Sequence, residues 1–207
     1  MPFDLTLEEG KFLIKLTRNT VKTFLNIRQT LKPPKDTLPK LYEKCGVFVT
    51  INTFNKGEKN LRGCIGYPYP TSSLIEAVID SAINAATEDP RFPSMTFGEV
   101  DNCVFEVSVL TPPKLIHVDN PKKYIEQIKV GQDGLIIEKG YSRGLLLPQV
   151  PVEWQWSAEE FLCQCCIKAG LPPDSWLTKS VKIYKFTAII FEEQAPNGEI
   201  KHLNLNQ

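Results

Sequence analysis

Histidine is nearly missing from this chain: His117 and His202 are the only two in 207 residues. That scarcity narrows the nucleophilic chemistry available, because a cysteine hydrolase or transferase ordinarily draws on a histidine base. His117 follows the apolar stretch 103–110 and is the one positioned to approach a site there, whereas His202 stands in a polar tail. Metal catalysis calls for convergent His, Asp or Glu ligands. No segment offers that spacing, so neither a metal nor another cofactor is expected. Neither G-x-x-x-x-G-K-[ST] nor G-x-G-x-x-G occurs, which leaves nucleotide binding through those loops unsupported. An excess of one charge is also lacking: 24 Lys and Arg balance 24 Asp and Glu, with no basic run. Nucleic-acid binding draws on clustered basic charge and is not expected. No window approaches the roughly 18 apolar residues of a membrane span. Met1-Pro2-Phe3-Asp4 shows no basic region leading into an apolar run. The expectation is a cytoplasmic protein away from membranes, its six cysteines reduced.

What is present is a core: 42% of residues are hydrophobic, enough for one domain or two small lobes. Thr6 and Glu9 form a capping box ahead of Leu13, Leu16, Val21, Phe24 and Leu25, which recur at near-helical spacing. That helix is expected to reach about Thr30 and to stop before Pro33-Pro34. Residues 47–53 are rich in β-branched and aromatic side chains. Asn55-Lys56-Gly57 predicts a hairpin turn, with 61–67 as the return strand. Ser73 and Glu76 form a second capping box, ahead of a buried helix from Leu74 to about Thr87. Residues 103–110 alternate as a strand. A short helix near 124–128 and a hairpin around Lys139-Gly140-Tyr141-Ser142 follow. Ser157 and Glu160 cap a third helix, which closes at Gly170. Residues 181–192 alternate again and are expected to return to the first sheet, ahead of a frayed tail, 194–207.

The chemistry concentrates in Leu61-Arg62-Gly63-Cys64-Ile65-Gly66. In a regular strand Arg62 and Cys64 share a face, about 6.6 Å apart at Cα, so the guanidinium can lean over the thiol. One reading is an accessible thiol activated by Arg62. The other is a bulged strand around a small buried cysteine. Glu106 and Ser108 share one face of the 103–110 strand. A carboxylate there needs a cation or solvent, and Arg62 is the expected partner, whether for function or for structure alone. Thr50 and Asn52 adjoin Arg62 and Cys64 if the register allows. Arg91, in Asp89-Pro90-Arg91-Phe92, is either an anion contact or the ion partner of Asp89 or Glu88. Cys163 and Cys166 are spaced C-x-x-C, but inside a helix and without a second ligand pair, which points to core packing.

The hexapeptide matches letter for letter the signature of the AMMECR-type family, named for the Alport syndrome, midface hypoplasia and elliptocytosis chromosomal region. Gly46-Val47-Phe48-Val49-Thr50, Asp89-Pro90-Arg91-Phe92 and Glu106-Val107-Ser108-Val109-Leu110 look similar to it as well. So do Leu145-Leu146-Leu147-Pro148-Gln149-Val150 and Lys168-Ala169-Gly170-Leu171, so the chain resembles the family from about residue 10 to about residue 192. The resemblance implies an α/β protein of the α+β kind. It implies two unequal subdomains, each an antiparallel sheet with helices, and a cleft between them into which the motif points. On this reading residues 1–118 and 181–207 form the large subdomain and 119–180 the small one. The function expected is an enzyme acting on a large substrate, possibly a protein, in that cleft. Cys64, Arg62 and Glu106 would be its catalytic groups. Arg91, Ser108, Leu61, Gly63, Ile65 and Gly66 would contact the substrate. A non-catalytic protein- or peptide-binding module is the alternative. Family association implies Memo-type and radical-SAM proteins as partners.

Overall fold

Helix α1 (Leu7–Ile27) starts as its capping box predicts: the Glu9 carboxylate accepts the Thr6 N–H at 2.7 Å, and Thr6 Oγ accepts the Glu9 N–H at 3.3 Å. It ends at Ile27 and not at Thr30. Arg28 turns left-handed (φ 56°) and gives its N–H to the Phe24 carbonyl, closing the last turn before the prolines are reached. The structure is a computed structural model and describes residues 4–205.

Strands β1 (Gly46–Asn55) and β2 (Glu58–Tyr67) form the predicted hairpin. Its two-residue turn, Lys56-Gly57, has positive φ at both positions (50° and 91°), as a turn matching the strand twist requires. Helix α2 (Leu74–Thr87) spans the expected residues, but its capping box does not form. The Ser73 hydroxyl donates to Glu76 Oε2 at 2.5 Å and does not accept from the Glu76 N–H, while the Leu74 N–H goes to the Glu43 carbonyl at 2.9 Å. Strand β3 (Cys103–Leu110) follows a short 3-10 turn at Phe97–Asn102. Next come β4 (Lys114–Leu115), α3 (Tyr124–Gln127), β5 (Gly134–Lys139), β6 (Ser142–Leu146), α4 (Gln149–Glu153) and α5 (Ala158–Lys168). The chain closes with β7 (Lys182–Phe186), β8 (Ala188–Glu193) and β9 (Ile200–His202).

Two compact units result. One runs to Leu110 and takes in Ile189–Leu203; the other spans Thr111–Ala188. The first holds a five-stranded sheet in the order β2-β1-β3-β8-β9, with antiparallel pairing of β1 to both β2 and β3. Alternation sends Val47, Val49, Ile51, Phe105, Val107 and Val109 into a core shared with α1 and α2. Gly10 matters to this packing, because any Cβ there would run into the Phe191 ring. The second unit holds the antiparallel sheet β4-β7-β5-β6, with α5 packed on β5 and β6.

Residues 181–192 do not return to the first sheet as one strand. β7 pairs with β5 in the four-stranded sheet, and only β8 reaches the five-stranded one. The break falls at Thr187, whose N–H goes to Thr111 Oγ at 2.7 Å. The tail is ordered further than expected: Ile200 is buried and β9 pairs with β8. Residues 206–207 of that tail lie outside the described residues. Among the described residues, no helix is long and apolar enough to cross a membrane.

Candidate functional site

The register of the β2-β1-β3 strands builds the site. Thr50 stands opposite Cys64 on one side and Glu106 on the other, so Cys64, Thr50 and Glu106 form a row across three strands. All three lie on the face opposite the apolar core, and Ser108 joins them two residues beyond Glu106. Thr50 Oγ donates to Cys64 Sγ at 3.3 Å, and Ser108 Oγ donates to Glu106 Oε1 at 3.2 Å. Glu106 is 7% exposed and Ser108 0%, while Cys64 is half-buried. The expected adjacency of Thr50 to Cys64 therefore forms.

Arg62 behaves differently from expectation. Ile51 pairs with Gly63 but Asn52 pairs with Leu61, so Arg62 is the extra residue of a β-bulge. The bulge breaks the two-residue alternation that would place Arg62 over Cys64. Arg62 Nε donates instead to Glu99 Oε1 at 2.9 Å, and the guanidinium lies 5.9 Å from the Phe92 ring centroid. The expected Arg62–Glu106 pair is thus not made. Glu99 is shared: its other oxygen accepts the Thr96 N–H (2.7 Å) and Thr96 Oγ (3.0 Å). Burial raises the Glu99 carboxyl, but the hydrogen bonds from Arg62 and Thr96 outweigh that and lower it.

Arg91 is a cation close to the thiol. Strand β2 is a sheet edge, and the Cys64 N–H donates to Asp89 Oδ2 at 2.8 Å, outside the ladder. Arg91 grips the same carboxylate, Nε to Oδ1 at 2.9 Å and Nη2 to Oδ2 at 2.6 Å, and its own N–H reaches Oδ1 at 3.1 Å. The Asp89 side chain is 2% exposed and that of Arg91 50%. Hydrogen bonding from Arg91, helped by the Cys64 N–H, holds the Asp89 carboxyl down to about 2 despite burial. The Arg91 guanidinium is raised, chiefly by Asp89, with Cys64 near enough to add an electrostatic contribution. The ion-pair reading of Arg91 is therefore realised next to the thiol. Asp89 was visible in sequence only as a possible partner of Arg91, and nothing in the sequence signalled its hold on Cys64.

Gly63 faces α2, where a Cβ would strike the Ala85 carbonyl, and Ile65 packs on the core. Gly66 lies against Val47 and Phe48, where a Cβ would not fit, and Leu61 is exposed. The other cysteines offer little chemistry. Burial pushes Cys45, Cys103 and Cys166 up to about 11 and Cys165 to about 12. Cys163, the first member of the C-x-x-C, is half-buried against the core of the second unit. His202 is on β9, at the opposite edge of the sheet from β2, with its ring 5.4 Å from that of Phe191. His117 is exposed in the second unit. No group of three or more His, Cys, Asp or Glu among the described residues is placed to hold a metal ion. Two surface hollows of about 300 and 290 Å³ lie elsewhere, one beside Phe12 and Leu38, the other beside Pro33 and Ile79.

Comparison with known proteins places this geometry in context. A family model described as AMMECR1 matches residues 14–191. Protein PH0010 of Pyrococcus horikoshii is 55% identical over 202 residues, covering 97% of this chain and 98% of that protein. Protein MJ0810 of Methanocaldococcus jannaschii is 53% identical over 197 residues, 95% of this chain and 96% of that one. The crystal structure of the uncharacterized protein PH0010 superposes with a TM-score of 0.92, covering 95% of this chain and 97% of that chain.

Proposed function

The chain belongs to the AMMECR1 family, and from that premise we propose that it is an enzyme acting on a large substrate through the Cys64 thiol, on the polar face of β2-β1-β3. One observation carries this reading: Thr50 Oγ donates to Cys64 Sγ at 3.3 Å, on a half-buried residue with a guanidinium held nearby. A hydroxyl donor and a neighbouring cation both favour the charged sulfur, which is the reactive form, against the opposing charge of Asp89. Glu106, fixed by Ser108, supplies a carboxylate in the same row. Arg62 serves this site indirectly, by pinning the bulge of β2 to Glu99.

The test is alkylation by iodoacetamide at pH 6–7, resolved cysteine by cysteine by mass spectrometry. Cys64 is expected to react about tenfold faster than free cysteine, and Thr50→Val to remove most of that advantage. A Cys64 rate no higher than that of free cysteine would overturn the reading. A second reading, a non-catalytic protein- or peptide-binding module, is favoured by one observation: the histidine of the first unit, His202, stands on β9 at the far edge of the sheet from β2, so that unit itself brings no imidazole base to the thiol. That module needs no reactive thiol, so the same measurement separates the two.

A further inference from the structure

The Asp89–Arg91 pair does more than an ordinary ion pair two residues apart. Such pairs in solvent hold two flexible side chains loosely. Here the carboxylate is almost wholly enclosed, at 2% exposure, and is itself anchored to the main chain of the thiol residue by the Cys64 N–H. The two parallel bonds from Nε and Nη2 fix the plane of the guanidinium against that anchor. The inner edge of the guanidinium is spent on Asp89. Its other N–H groups are carried on a side chain that is 50% exposed, next to Cys64. The Phe92 ring, 5.5 Å from the Arg91 guanidinium carbon, backs the same group.

Building on the thiol reading above, we infer that Asp89 is a positioning residue that presents the outer edge of Arg91 to an anionic group, a carboxylate or phosphate, on the substrate brought to Cys64. A fixed fork matches the paired oxygens of such a group, whereas a mobile cation supplies only charge. The rigid link from Cys64 N–H through Asp89 to Arg91 keeps the distance from thiol to anion receiver constant, so the pair selects substrates in which the reacting carbon and the anionic group are correctly spaced.

Two alkylating probes of similar size test this on the full chain: iodoacetate, which is anionic, and iodoacetamide, which is neutral. The quantity read is the iodoacetate-to-iodoacetamide rate ratio at Cys64, divided by the same ratio for free cysteine. It is expected to be raised on the order of fivefold in the wild type. Arg91→Lys keeps the charge and loses the fork, and should bring the ratio to within about twofold of free cysteine. Asp89→Asn gives the sharper discrimination. If Asp89 only neutralises charge, removing its carboxylate raises the local positive potential and the ratio climbs; if it positions the fork, the ratio falls. A climbing ratio, or an unchanged ratio in Arg91→Lys, overturns the inference, and because Arg91 is half exposed, Arg91→Lys reads it even if Asp89→Asn fails to fold. If Cys64 reacts rapidly with both reagents and shows no charge preference, the thiol reading stands and this one falls. If it reacts rapidly with neither, the thiol reading falls as well.

Discussion

Asp89 accepts hydrogen bonds from the Cys64 N–H and from three N–H groups of Arg91, with its side chain 2% exposed. A carboxyl held from its usual 3.8 to about 2 in the folded state contributes stability that is present above pH 4 and is lost as pH falls through about 2. The difference corresponds to about 2 kcal/mol. Urea unfolding at pH 5 should therefore show the wild type more stable than Asp89→Asn, with the gap shrinking by about 2 kcal/mol at pH 2. A gap that does not change with pH would mean the carboxylate is not ionised in the way the geometry requires. The Arg91–Asp89 pair was legible in the sequence, since two residues flanking a proline are held close by the chain itself. The hold on Cys64 was not, because it depends on β2 being an edge strand, and edge position is a property of the assembled sheet.

At the scale of elements, the site depends on how closely β2 and α2 approach. Gly63 has room for no side chain, because a Cβ would collide with the Ala85 carbonyl, which is backbone and cannot swing away. Gly63→Ala should therefore force strand and helix apart and cost about 2–3 kcal/mol. Gly98→Ala, with nothing within 4 Å of the added carbon, should change stability by less than about 0.5 kcal/mol. Urea unfolding midpoints of the two variants make the comparison, and equal losses would contradict it. Elements that declare themselves locally were readable: the Lys56-Gly57 turn, the capping boxes of α1 and α5, and the alternation of β3. A bulge was one of the two readings of this glycine-flanked stretch; that it falls at Arg62 was not legible, and it redirected the most conspicuous cation of the motif to Glu99. The position of a bulge is set by the mismatch between two paired strands, so neither strand fixes it alone.

Across the whole first unit, Arg18 of α1 and Glu193 of β8, 175 residues apart in sequence, form a buried bidentate pair at 2.9 and 2.5 Å. Arg18 also donates to the carbonyls of Val100 and Cys103, and Glu193 accepts the Phe105 N–H. Arg18→Met leaves a buried carboxylate without its cation and should cost about 3–5 kcal/mol. Lys22→Ala, which removes the exposed Lys22–Asp101 pair, should cost less than about 1 kcal/mol. Chemical denaturation of both variants tests the contrast. The AMMECR-type resemblance, the mixed α/β class, most element positions and the shared face of Glu106 and Ser108 were determined by the sequence itself. Periodicity, turn chemistry and strand alternation act over a few residues, and each leaves its mark in the order of side chains. Tertiary structure alone decided that Arg62 serves Glu99, that Asp89 holds both Arg91 and the Cys64 N–H, that residues 181–192 divide between two sheets, and that Arg18 reaches Glu193. Each of these turns on which distant backbone lies alongside, a choice made by the packing of the whole chain.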